Sequence, residues 1–248
     1  MKRVDLMIDG RDVAAEAGQT IMQAADAAGI YIPRLCAHAK LLPGGHCRVC
    51  SVKVNGKVTN ACTMPVAGGM VVENDTPEMT AHRRRIIEML FVEGNHFCPF
   101  CEKSGSCELQ ALASRFGMTA PTYPYLYREA AVDASHPDVF IDRNRCVLCG
   151  RCVRSSRDLD GKTVFGFEGR GVATRIAVDA TGGLGETRMS AADEAARICP
   201  TGSIVLKRTA YRAPYGTRTY DRAPIGSDIE GPGGGPGAGG NPAAGKGV

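Results

Sequence analysis

The sequence predicts an α+β chain assembled from two small units, and three observations carry that reading. Short strand-like runs surround single helical runs and do not repeat as strand–helix–strand crossovers. A connector bearing Pro121, Pro124 and three tyrosines, with Pro137 directly after it, separates the two groups of runs. Eleven cysteines fall into three groups spread over both units. That number is odd, so complete internal pairing is impossible.

In the first unit, Val4–Ile8 reads as a strand, and Asp9-Gly10 turns it into a second strand over Asp12–Ala15. Thr20 is the expected N-cap of a helix over Ile21–Ala28, with Gly29 at its C′ position. Ser51–Val54 and Lys57–Thr59 flank Asn55-Gly56, the strongest short hairpin signal in the chain. Thr76, Pro77 and Glu78 then open a longer helix. Met79, Ile86, Ile87, Leu90 and Phe91 recur along it at helical spacing, and Gly94 closes it. The block His82-Arg83-Arg84-Arg85 reads as a solvated face; a docking face for an acidic partner is the alternative. The connector runs from Met118 to His136. The second unit has strands over Val139–Asp142, Val164–Phe167 and Ala173–Val178, a helix over Ala191–Ile198, and an end near Lys207. Gly231–Val248 holds nine glycines and three prolines and is expected to be disordered. The implied boundaries are 1–75, 76–117, 118–136, 137–207, and an extended, largely disordered tail over 208–248.

Composition narrows the class. Apolar residues make up 44% and charged residues 23%, which excludes a wholly disordered or collagen-like chain. Thirty basic against 26 acidic residues leave a net charge of +4, too mild to make nucleic acid the main partner. No apolar run follows Lys2-Arg3, so no secretory signal is expected. The densest apolar run, Ile86–Val92, contains Glu88 and is far too short to span a bilayer. The expectation is a soluble protein of a reducing compartment, where clustered cysteines are metal ligands rather than disulfides.

The cysteine spacing sharpens that expectation. Cys146, Cys149 and Cys152 follow one another at two-residue gaps, and Cys199 precedes Pro200. Three closely spaced thiols with a remote fourth before proline match a [4Fe–4S] cluster. A structural zinc site takes two ligand pairs and does not need the third close thiol. Gly150 would let backbone approach inorganic sulfide without a side-chain clash. Cys36, Cys47, Cys50 and Cys62, with gaps of ten, two and eleven, suit a [2Fe–2S] centre in a ferredoxin-like β-grasp domain, with zinc as the alternative. Cys98, Cys101 and Cys107 are one ligand short. His96 would complete them, bringing the donors to twelve for three four-donor sites. A water or Glu102 is the alternative fourth donor. A neutral imidazole in place of a thiolate would raise the potential of that [4Fe–4S] site. His38 and His46 lie beside the first group and are read as outer neighbours or exposed side chains.

This ordered triplet resembles the electron-input iron–sulfur subunit of respiratory complex I. It resembles still more the small diaphorase subunit of cytoplasmic NAD-reducing [NiFe]-hydrogenases. The resemblance covers about Val4 to Lys207. It rests on Cys36…Cys47-Arg48-Val49-Cys50…Cys62, on Gly94-Asn95-His96-Phe97-Cys98-Pro99-Phe100-Cys101 with Cys107-Glu108-Leu109-Gln110, and on Cys146…Cys152 with Cys199-Pro200-Thr201-Gly202. The complex I subunit usually places three residues between its histidine and the next cysteine, whereas this chain has only Phe97. It also continues into a large domain related to molybdopterin enzymes, where this chain has a glycine-rich tail, and that favours the hydrogenase subunit.

The resemblance implies one [2Fe–2S] and two [4Fe–4S] clusters passing single electrons between a flavin/NAD-binding diaphorase subunit and a hydrogenase small subunit, in the cytoplasm. No catalytic residues, no FMN or NAD site, no nucleic acid and no membrane insertion are expected in this chain. No glycine cluster sits between a strand and a helix, so a dinucleotide fingerprint is absent. The alternatives are the equivalent subunit of an NAD-dependent formate dehydrogenase or of a complex I-like NADH dehydrogenase. A zinc or iron–sulfur structural or sensor module is a third reading.

Overall fold

A computed structural model describes residues 2–127 and 129–231. The chain opens with β1 (Arg3–Ile8) and β2 (Arg11–Glu16), paired antiparallel across the Asp9-Gly10 turn. Helix α1 (Ile21–Ala27) comes next. Thr20 Oγ1 accepts the Gln23 amide at 3.2 Å, while Gln23 Oε1 accepts the Thr20 amide at 2.8 Å, so two orphan donors of the helix start are satisfied together. β3 (Ser51–Val54) and β4 (Lys57–Asn60) form the Asn55-Gly56 hairpin, and β5 (Val71–Glu73) closes a five-stranded sheet of order β2-β1-β5-β3-β4. β1 and β5 run parallel and the other pairs antiparallel. Ile21, Met22, Ala24 and Ala25 of α1 pack on Leu6, Ile8, Val13 and Val52 of the sheet. Cys50 and Cys62 belong to the same core, so the sheet's own packing positions two thiols.

Helix α2 (Pro77–Val92) is capped by Thr76, in agreement with its sequence. The basic block inside it does not form a uniformly solvated face. Arg83 is 2% exposed and donates to Asn74 O at 2.8 Å, Asn74 Oδ1 at 2.7 Å and Ser51 O at 2.7 Å. Burial lowers its pKa to about 10, so it remains charged at neutral pH. Its three acceptors are the reason: the Asn74 carbonyl and side-chain oxygen just after β5 and the Ser51 carbonyl at the start of β3 converge on one guanidinium. Glu88, on the same helix, accepts from the Thr122 hydroxyl at 2.6 Å and the Tyr123 amide at 2.8 Å, tying down the connector. After a single 3₁₀ turn at Cys98–Phe100 comes α3 (Glu108–Arg115). α3 buries Leu109 and Leu112 in one cluster with Ile87, Leu35 and Val49 of the first unit, and Val147 of the second unit packs against the same cluster.

The second unit holds β6 (Val132–Asp133), β7 (Val139–Asp142), α4 (Arg151–Asp158), the hairpin β8 (Phe165–Glu168) and β9 (Arg175–Val178), and β10 (Ile204–Leu206). β10, β7 and β6 make a three-stranded sheet in that order. The helix expected over Ala191–Ile198 is only a 3₁₀ turn at Glu194–Ala196. Cys199 precedes Pro200, which disfavours helical backbone there. The Asp160 carboxylate also takes the Glu194 and Ala195 amides at 2.9 and 3.0 Å, starting a turn that closes at once.

The tail expectation, drawn over 208–248, needs correction for its first part. Residues 208–231 carry α5 (Thr219–Arg222) and α6 (Ser227–Glu230) and return over α3. Ile225 is buried, and Arg115 donates to Ile225 O at 2.9 Å and to both Glu230 oxygens at 3.0 and 2.6 Å. The glycine bias that suggested disorder starts only at Gly231; before it, Tyr220, Ile225 and Ile229 supply apolar anchors. Residues 232–248 lie outside the described residues. Among the described residues, no helix is long and apolar enough to cross a membrane.

Candidate metal centres

None of the eleven cysteines is in a disulfide. Cys36 lies between α1 and β3, Cys47 and Cys50 immediately before β3, and Cys62 just after β4, so the two loops at one end of the sheet fold onto each other. The thiols of Cys47, Cys36, Cys62 and Cys50 lie within hydrogen-bond reach of one another in that sequence. The Cys36 amide also donates to Cys47 Sγ at 3.4 Å. Contacts with Cys47 and Cys62 hold the Cys36 thiol far below its usual range, and the same contacts with Cys36 push Cys47 and Cys62 up. Four thiols this close invite a positive centre that would ionise them all.

The second set comes together between α2, α3 and the second unit. His96, Cys98, Cys101 and Cys107 line one pocket with Phe91, Leu109, Arg145 and Gly202. His96 Nε2 is buried and has no hydrogen-bond partner. Burial lowers the imidazole pKa to about 4, which leaves the ring neutral with a free lone pair at neutral pH. Burial pushes the Cys107 thiol up to about 12 and raises Cys98. Arg145 Nη1 lies 3.6 Å from Cys101 Sγ and 2.5 Å from Glu102, so Glu102 is engaged in an ion pair. A Cβ on Gly202 would collide with Cys101 Sγ, so the residue three beyond Cys199 must be glycine for this wall to close.

The third set lines a pocket of its own. Cys146, Cys149, Cys152 and Cys199 surround it with Ile141, Ile176, Thr201, Ser203 and Ile204. Burial raises Cys146 to about 11 and pushes Cys149 and Cys152 higher, while Arg151 pulls Cys149 back. Neutral thiols in an apolar wall are what a metal centre must deprotonate on binding. Gly150 caps α4 with φ +64° and lines this pocket. A Cβ there would sit 3.2 Å from the Phe167 ring and 3.4 Å from His46 Nε2, so glycine serves both the turn and the packing.

The structure therefore gathers all twelve expected donors into three sets. Among the described residues, no three His, Cys, Asp or Glu side chains converge as a single metal ion requires; the second and third sets line pockets instead. The residues that join the sets escape sequence reading. His46 Nε2 meets the Cys149 carbonyl at 3.0 Å, linking the first and third sets. Arg154 donates to Cys36 O at 2.5 Å and Cys149 O at 3.3 Å. Thr201 Oγ1 donates to Arg145 O at 2.9 Å and lies 3.6 Å from Cys199 Sγ. Only His46 carried a signal, its place beside Cys47; the arginines have no spacing rule.

Three family models match successive stretches of the chain. A family model described as a 2Fe-2S iron-sulfur cluster binding domain matches residues 1–77. The NADH-ubiquinone oxidoreductase-G iron-sulfur binding region matches residues 83–121, and a 4Fe-4S single cluster domain matches residues 139–206. The chain thus carries one [2Fe–2S] and two [4Fe–4S] regions. The NADH-ubiquinone oxidoreductase 78 kDa subunit of Candida albicans is 37% identical over 86% of this chain, which spans only 30% of that longer relative. A chain of an NAD+-reducing [NiFe]-hydrogenase crystal structure in the H2-reduced state superposes with a TM-score of 0.86 at 44% identity, covering 89% of this chain and 94% of that one. The NAD-reducing hydrogenase HoxS subunit gamma of Cupriavidus necator is 41% identical over 88% of this chain and 93% of its own length, and the chain accordingly belongs to the family of NAD-reducing hydrogenase gamma subunits.

Proposed function

We propose that this chain relays single electrons between a flavin/NAD-binding diaphorase subunit and a hydrogenase small subunit, in a cytoplasmic complex that converts H2 and NAD+ into NADH and a proton. The observation that carries the reading is the presence, in one chain, of three separate buried or half-buried donor sets joined by shared side chains. Cys36, Cys47, Cys50 and Cys62 would hold the [2Fe–2S] cluster in a ferredoxin-like β-grasp domain over 1–75. His96, Cys98, Cys101 and Cys107 would hold one [4Fe–4S] cluster in 76–117, and Cys146, Cys149, Cys152 and Cys199 the other in 137–207.

When bound, the clusters supply one-electron redox chemistry, which a partner flavin needs to split the two-electron hydride step of NAD. The chain's own residues do the rest. The thiols give up their protons to become ligands. The apolar walls at Ile141, Ile176 and Leu109 exclude water. The neutral His96 ring leaves its site less negative than four thiolates would.

The test separates relay from catalyst. In the purified complex, Cys149→Ala removes about four of roughly ten irons carried by this chain and abolishes H2-driven NAD+ reduction. NADH–dye activity of the flavin subunit and H2–dye activity of the hydrogenase persist. Full H2–NAD turnover in that variant, or zinc in place of iron and acid-labile sulfide, would overturn the reading.

A further inference from the structure

One side chain outside the donor sets reaches a residue next to a donor of each. Arg151 lies between Cys149 and Cys152 and is 2% exposed. Its guanidinium donates to Ala37 O at 2.9 Å, next to Cys36, and to Ile198 O at 3.5 Å, next to Cys199. It grips both Glu108 oxygens at 2.6 and 2.7 Å, next to Cys107. Volume alone does not call for this residue, because an apolar side chain would fill the same space without the cost of desolvating a charge. A planar fork serving acceptors on three diverging segments is a guanidinium's particular capability. Glu108, its one carboxylate partner, is less buried, with its side chain 23% exposed. Water screens that negative charge more than it screens the guanidinium.

We propose that Arg151 is the shared positioning residue of the three sites: it registers the segments bearing Cys36, Cys107 and Cys199 on α4, and its buried charge favours the reduced state at more than one of them. The proposal rests on the electron-relay reading above. One-electron reduction adds one negative charge to a site and makes or breaks no bond in this chain, so a fixed positive charge nearby stabilises the product.

The test is redox-poised electron paramagnetic resonance on the intact complex carrying Arg151→Met, Glu108→Gln or Arg157→Met. In Arg151→Met the reduced-to-oxidised ratio at a fixed applied potential should fall about tenfold at the Cys146–Cys199 site, which is about 59 mV for a one-electron couple, and by a smaller factor at a second site. Glu108→Gln, which frees the guanidinium of its counter-charge, should move the ratios the other way. Arg157, on the same helix but with its side chain 59% exposed, is the control and should move none. Wild-type ratios in Arg151→Met with all three signals present would overturn the proposal, as would movement at a single site. If Arg151→Met fails to retain its clusters, Glu108→Gln decides alone, and unmoved ratios there overturn it. Absence of the three signals from the unmodified complex would instead defeat the relay reading, whatever Arg151 does.

Discussion

The Cys36–Cys62 set and the His96–Cys107 set each bring together four donors, but they are built in opposite ways. The first is made from one continuous stretch of chain. All four donors are thiols, each within reach of at least one other, and two of them sit in the core beneath the five-stranded sheet. The second borrows its enclosure. Its donors run from the end of α2 to the start of α3, but Arg145 and Gly202 of the second unit form part of its wall. The first set meets the second unit through backbone carbonyls and His46, whereas the second has second-unit side chain and backbone directly against its donors. Substitutions at those wall residues should therefore affect the second set more than the first.

Gly202→Ala should make the largest difference between them. The added methyl meets Cys101 Sγ, and overpacking of this kind costs about 1–3 kcal/mol. The expected outcome is loss or strong distortion of the paramagnetic signal of the His96 set, with the [2Fe–2S] signal unchanged. Equal damage to both signals would erase the distinction. Arg83→Met comes next, because Arg83 links α2, which leads to His96, with Ser51, the residue after Cys50. Leaving its buried acceptors unpaired should cost about 1–3 kcal/mol. A lowered melting temperature with all clusters retained at low temperature is the expected result; iron lost from the first set alone would show that set to be less self-sufficient than its thiol contacts suggest. Deleting residues 232–248 should have the smallest effect, since that composition offers almost no bulky apolar side chain to bury. Iron content per chain should stay at the level of the full protein.

Much of the fold is legible from local rules. Thr20 and Thr76 cap the helices that their positions signal, and Asn55-Gly56 turns the hairpin expected of it. These are short-range effects of one or two side chains on adjacent backbone. α4 escaped for an opposite reason. Its buried residues are Arg151, Cys152, Ser155 and Ser156, so the face turned inward is polar and leaves no hydrophobic period to read. The sequence reading likewise has no helix at α3, although Leu109 and Leu112 stand three residues apart after the acidic Glu108. β5 is three residues long and becomes a strand only because β1 and β3 lie on either side of it. Arg83 departs from the solvated-face expectation because a basic run looks solvated until acceptors such as Ser51 O, Asn74 O and Asn74 Oδ1 are placed beneath it.

By itself the sequence picked out the twelve candidate donors. Thiol and imidazole chemistry is narrow, and ligand spacing within a loop is a local property that survives without knowing the fold. Only the tertiary structure decided what surrounds each donor set: that Gly202 backs onto Cys101, that His46 bonds to Cys149, and that Arg151 reaches Ala37, Glu108 and Ile198. Those residues lie tens to more than a hundred positions apart, and no pattern along a chain encodes which of many compact arrangements closes such distances. That choice belongs to the packing of α3 and α4 between two cores, where a buried charge must find every partner at once.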